Sequence, residues 1–214
     1  MDRRAIVVVL DACGCGALPD ARDYGDEGTN TLAHVAEAVG GFGDLPALQR
    51  LGLGNVTPIS GLPPAGAPAV HGRLHPLGPG KDTTAGHWEL TGVVPPRFPT
   101  YPSGFPRDLI ERFERATGRE VIGNAPSEGL RAIEEHGERH LASGGRELIV
   151  YTSQDSVFQV AAHEETVPLD ELYAACDTAR AMLVAPHDVS RVIARPCSPS
   201  RSQLRVNATV FARQ

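Results

Sequence analysis

Residues 120–152 read EVIGNAPSEGLRAIEEHGERHLASGGRELIVYT. Glu120 to Gly123 has the character of a short strand, Ser127 to Leu141 that of a helix, and Glu147 to Thr152 is a second apolar strand. The alternation continues beyond it, with a helix over Leu169 to Leu183 and a strand over Arg191 to Ala194. On the other side, Pro106 to Thr117 is amphipathic: Leu109, Ile110 and Phe113 share one face, Asp108, Glu111, Arg112, Glu114 and Arg115 the other, and Gly118 closes the helix. Strands alternating with helices predict an α/β layer from about Phe98 to Pro196.

Nearer the N-terminus, Ala5-Ile-Val-Val-Val-Leu10 is a continuous apolar run of the kind that a strand buried on both faces of a parallel sheet requires. It stops at Asp11. Loops at the carboxyl ends of such strands carry ligand sites in open α/β sheets, so Asp11, followed by Gly14 and Gly16, is placed for chemistry or for capping the next helix. Thr29 to Val39 starts with capping residues and sets Leu32, Val35, Ala36 and Val39 at helical spacing. Leu45 to Leu51 predicts a second short helix. Pro58 to Pro79, rich in Pro and Gly, predicts a long surface excursion that leads into Lys81.

The 214 residues are 41% hydrophobic and 21% charged, with 23 Gly and 18 Pro, a composition that excludes disorder and collagen-like repeats. No apolar run approaches the roughly 18 residues of a membrane span. Met1-Asp2-Arg3-Arg4 runs into the first strand without a signal-peptide core, so a cytoplasmic location is expected. The net charge of -6 argues against a nucleic-acid or anionic-membrane partner and leaves small anionic substrates open. Lys81 is the single lysine among 20 basic side chains, a bias that a GC-rich genome explains. Cys13, Cys15, Cys176 and Cys197 form no Cys-x-x-Cys pair or zinc spacing and are expected as reduced thiols.

The densest polar cluster is Gly80-Lys81-Asp82-Thr83-Thr84-Ala85-Gly86-His87-Trp88-Glu89. Hydroxyls at a helix start, where free N–H groups and the helix dipole favour an anion, suit covalent capture of a phosphoryl group. Helix initiation alone also explains Asp82 and the threonines. No P-loop pattern is present, and Gly14-x-Gly16 departs from a dinucleotide fingerprint because Pro19 stands at its third glycine. His136 and His140, four apart on a predicted helix, are spaced for a shared metal. Their neighbours Glu134, Glu135, Glu138 and Arg139 favour a solvated face instead.

Several of these motifs, taken in order, carry a resemblance. Val9-Leu10-Asp11, Gly25-Asp26-Glu27-Gly28, Leu51-Gly52-Leu53-Gly54-Asn55, Gly80-Lys81-Asp82-Thr83, Gly86-His87-Trp88-Glu89, Val121-Ile122-Gly123-Asn124, Tyr151-Thr152-Ser153, Asp155-Ser156-Val157, Ala161-Ala162-His163-Glu164-Glu165 and Arg191-Val192-Ile193-Ala194-Arg195-Pro196 together resemble the phosphopentomutases, alkaline-phosphatase-like metalloenzymes. The resemblance implies an α/β fold: part of an alkaline-phosphatase-like core over residues 1–97, then a smaller α/β cap domain over 98–196. It implies interconversion of (deoxy)ribose 1-phosphate and 5-phosphate, with two divalent metals, manganese by analogy. Asp11 would be a metal ligand and Thr83 both a ligand and the residue that carries the phosphoryl group, with Lys81, Asp82 and His87 in support. Ser153, Asp155 and Arg191 match positions that contact the sugar phosphate. A phosphohydrolase or phosphoglycerate mutase of the same superfamily is the neighbouring enzyme reading.

Two departures stand out. Ala85 replaces the family's common threonine, and the match stops at Pro196, so residues 197–214 are expected to be the divergent tail of a truncated chain, either read out of frame or otherwise non-native. The remaining metal ligands would then be missing, so an inactive fragment is the other expectation. In that case the first strand lacks sheet neighbours and exposes apolar surface, while the cap buries a core of its own.

Overall fold

Two strand–helix–strand units, joined back to back, account for the ordered sheet. The structure is a computed structural model that describes residues 4–10, 12–79, 83–200, 203–206 and 212–213. In the first unit, strand β1 (Glu120–Pro126) leads through helix α6 (Gly129–Ala142) to β2 (Glu147–Thr152), parallel to β1. In the second, β3 (Val157–His163) leads through α7 (Leu169–Met182) to β4 (Arg191–Ser200), parallel to β3. The short loop 153–156 turns β2 into β3, and these two run antiparallel. Two further short strands, β5 (Gln203–Val206) and β6 (Ala212–Arg213), both pair antiparallel with β4, and the strand order is β1-β2-β3-β4-β5.

Both faces of this sheet are covered, and alternation along the strands decides which residue meets which helix. Leu148 and Val150 of β2, Phe158 and Val160 of β3, and Val192 and Ala194 of β4 pack with Leu109, Ile110 and Phe113 of helix α5 (Arg107–Thr117) and with Leu172, Ala175 and Ala179 of α7. Phe158 sits between Phe105 and Phe113, with ring centroids at 4.7 and 5.3 Å. On the opposite face Ile122, Ile149, Tyr151 and Ala161 pack with Ala132 and Ile133 of α6. The amphipathic face predicted for α5 is the buried one, and Gly118 ends that helix at φ 69.

The N-terminal region behaves differently. Helix α1 (Thr31–Ala38) starts where Asn30 Oδ1 accepts from Ala33 N, and α2 (Pro46–Arg50) and α3 (Leu53–Val56) come next along the chain. Ala36, Ile59 and Leu62 form a small core there. The run Ala5–Leu10, expected as a buried strand, forms no strand: Ile6, Val7 and Val8 are 84%, 70% and 77% exposed. The physical reason is pairing, because no strand among the described residues of this region offers it a ladder, and an apolar run without one gains nothing from extending.

The chain divides into two compact units, Met1–His75 and Pro76–Gln214. That boundary lies ahead of the 97/98 division read from the sequence. Helix α4 (Thr83–Leu90) is tied into the second unit: the Glu89 carboxylate accepts from Leu77 N and Gly78 N at 2.6 and 2.7 Å, and Trp88 meets Phe98 edge-on at 6.2 Å. β4 continues past Pro196 to Ser200.

Candidate functional site

The loop 153–156 is short and held at both ends, which fixes what it presents. Thr152 Oγ1 donates to Val157 O at 2.8 Å across the turn, Ser190 N donates to Ser156 O at 3.0 Å, and Ser156 Oγ donates to Pro99 O. Ser190 thus ties the start of β4 to this loop, and the next residue, Arg191, extends Nη2 to Asp155 Oδ2 at 3.2 Å. Both side chains are largely buried, and Arg191 Nε has no hydrogen-bond partner among the described residues. A guanidinium that is always charged and retains a free donor is suited to a phosphate, while Asp155 and Ser153 can take sugar hydroxyls.

Ser153 and Asp155 line a cavity of about 540 Å³ together with Gln154, Pro126, Ser127, Glu128 and Arg131. Its volume falls within the range of small-molecule sites. The structure therefore brings Ser153, Asp155 and Arg191 together, and the tertiary signal was absent from the sequence because residues 155 and 191 meet only through the parallel pairing of Val157 with Arg191.

Thr83 is the first residue of α4 and is exposed. His87 Nδ1 lies 2.8 Å from Thr83 O, so the ring folds back on its own helix turn. Thr84 and Ala85 are buried, and a methyl at position 85 fits that packing. Thr83 makes no hydrogen bond or ion pair with Ser153, Asp155 or Arg191 among the described residues. Asp11, Lys81 and Asp82 lie outside the described residues. Among the described residues no group of three or more His, Cys, Asp or Glu side chains is arranged to hold a metal ion. Two hard divalent ions need several oxygen or imidazole ligands each, and the described residues do not by themselves supply such a set.

Other reactive groups have structural work. His140, expected on a solvated face, is buried: Nδ1 lies 2.5 Å from Glu147 O, and Nε2 accepts from His163 N at 2.9 Å. Those partners make Nδ1 the protonated nitrogen, and burial holds the ring's pKa below the ordinary 6.5. All four cysteines are free. Burial, reinforced by Asp177 and Glu164 respectively, pushes the Cys176 thiol up to about 12 and the Cys197 thiol up to about 11, which makes both poor nucleophiles. Sequence reasoning missed Gln159, Arg195 and Tyr151, which share the α6 side of the sheet; the alternation of Arg191, Ile193 and Arg195 along one strand was the available signal.

Fold and site together define an α/β protein whose polar groups gather at one end of a mixed sheet, around an arginine that keeps a donor free beside an aspartate. No family model matches the chain. Curated relatives do: it is 55% identical over 196 residues to a phosphopentomutase of Carboxydothermus hydrogenoformans, covering 91% of this chain and 50% of that protein. It is 52% identical over 200 residues to the phosphopentomutase of Dictyoglomus turgidum and 54% over 198 residues to that of Clostridium novyi, in each case over 92% of this chain and 50% of the relative. By sequence the chain is similar to phosphopentomutases over about nine-tenths of its own length. It spans about half the length of the curated relatives it matches.

Proposed function

We propose that this chain carries the sugar-phosphate-handling part of a phosphopentomutase, which interconverts (deoxy)ribose 1-phosphate and (deoxy)ribose 5-phosphate. The observation that carries this reading is the Arg191–Asp155 pair beside Ser153, in a chain more than half identical to phosphopentomutases over nine-tenths of its length. Arg191 takes the phosphate, and Asp155 and Ser153 accept from or donate to ring hydroxyls. Residues 98–196 serve as the cap, and residues 1–97 belong to the catalytic core.

Thr83 is the phosphoryl carrier in this reading. Its place at the start of α4 supports it, because a helix N-terminus stabilises the added negative charge. The phosphoryl group passes from Thr83 Oγ1 to the free sugar hydroxyl, whose proton returns to Thr83. The phosphoryl group at the other end of the sugar then moves to Thr83 Oγ1, whose proton passes to the sugar oxygen released, and water must be kept out for the exchange to be a mutase and not a hydrolase. Manganese or another divalent ion, when bound, would supply charge neutralisation at the transferring phosphoryl; with no donor set among the described residues, Asp11 and Thr83 are the residues here that the resemblance assigns to it.

Titration of the 214-residue chain with ribose 5-phosphate tests the reading. Binding weakened by about tenfold or more in Arg191→Gln is expected for a lost charge-assisted contact, and unchanged binding overturns it. Thr83→Ala abolishes phosphoenzyme formation, and undiminished phosphoenzyme in that variant excludes Thr83. A second, non-catalytic reading is that the chain binds the sugar phosphate without transferring the phosphoryl group, since it matches only about half of each relative. On that reading a manganese titration followed by electron paramagnetic resonance finds no tight dinuclear site, and finding one sinks it.

A further inference from the structure

We infer that Tyr151, Arg195 and the first turn of α6 form an oxyanion subsite that takes a phosphate group, separate from the Arg191–Asp155 pair. The inference rests on the reading that the neighbouring cavity admits a phosphorylated ligand. Tyr151 is 1% exposed, and its Oη is buried without a hydrogen-bond partner among the described residues. A buried hydroxyl left in that state is costly unless something completes it.

The start of a helix lies against that hydroxyl. A Cβ built on Gly129, the first residue of the 14-residue α6, would come within 2.9 Å of Tyr151 Oη and 4.0 Å of Arg195 Cζ. A side chain at position 129 would press on that hydroxyl, so it is glycine that lets Tyr151 Oη, beside the Arg195 guanidinium, come close to the start of α6. The helix has no side-chain cap: Glu128 makes none, and Ser127 Oγ donates to Glu128 O. The first-turn N–H groups of Gly129, Leu130 and Arg131 therefore have no intrahelical acceptor, and the first bond back is Ala132 N to Glu128 O.

Arg195 supplies the charge. Its Nε donates to Gln159 Oε1 at 3.1 Å, a neutral partner, and no carboxylate pairs with it among the described residues. Hydroxyl, guanidinium and helix N-terminus are all able to donate, and an oxyanion with several acceptor oxygens is their complement. Ser127, Glu128 and Ser153, each one or two residues from Gly129 or Tyr151 in sequence, line the neighbouring cavity.

The test uses the 214-residue chain and inorganic phosphate, with chloride at matched ionic strength as the control. Saturable phosphate-dependent shifts of the Gly129, Leu130 and Arg131 amide resonances are expected, weakened about tenfold in Arg195→Gln and about threefold in Tyr151→Phe. Glu128→Gln, which takes a like charge from the approach, tightens binding about twofold. Shifts that chloride reproduces, or that both Tyr151→Phe and Arg195→Gln leave unchanged, overturn the inference. Ribose 5-phosphate separates the two proposals. If it binds through Arg191 while phosphate ignores both variants, the subsite falls alone; if phosphate binds at α6 and ribose 5-phosphate does not bind, the proposed function falls and the subsite stands.

Discussion

Asn124 shows how a motif that carried the family resemblance has a physical cause. It sits at φ 45, where β1 shifts register between Gly123 and Ala125, and its side chain grips the backbone of Phe105: Oδ1 accepts from Phe105 N at 2.8 Å and Nδ2 donates to Phe105 O at 3.0 Å. Asn124→Ala loses both bonds and keeps a strained φ, and should cost about 2–3 kcal/mol in urea unfolding. Asn124→Gly relieves the φ and should cost less, which separates the two contributions. His140 makes a second prediction at this scale. Its folded pKa lies below the ordinary 6.5, so the unfolded chain takes up the proton first. Stability is then full above pH 6.5 and falls as pH drops below it, and the urea midpoint should decline between pH 7.5 and 5.5. In His140→Leu that decline should flatten, although the variant starts from a lower midpoint. A decline that persists unchanged assigns the pH dependence to other groups.

At the scale of elements, most of the cap was readable because its periodicities are clean. The helices over Pro106 to Thr117, Ser127 to Leu141 and Leu169 to Leu183 appear as Arg107–Thr117, Gly129–Ala142 and Leu169–Met182. Strand β3 was not read, since Val157–His163 includes Gln159 and His163 and ends in a polar turn, which masks a segment buried throughout. Gln159 is buried because Arg195 reaches it across the sheet, a partner 36 residues away. Phe158 of the same strand is the natural probe of the core: Phe158→Ala removes a ring packed on Phe105 and Phe113 and should cost about 3–5 kcal/mol. Little change in the unfolding midpoint would mean that β3 is not central to the folded unit.

For the whole molecule, the contrast between Ala5–Leu10 and β2 is instructive. Both are continuous apolar runs, yet Leu148, Ile149 and Val150 are fully buried and Ile6, Val7 and Val8 are largely exposed. Hydrogen exchange should therefore be slowest at the amides of β2 and β3 and fast at residues 5–10; slower exchange at 5–10 than in β2 would contradict this arrangement. The sequence by itself determined the likeness to phosphopentomutases, the α/β class and the helices Arg107–Thr117, Gly129–Ala142 and Leu169–Met182, because these depend on local pattern and on motif order. Only the tertiary structure decided that the first apolar run stays unpaired, that Arg191 meets Asp155, and that Tyr151 and Arg195 close on the start of α6. Each of those depends on which strand lies next to which, and strand pairing is a long-range choice that local periodicity does not encode.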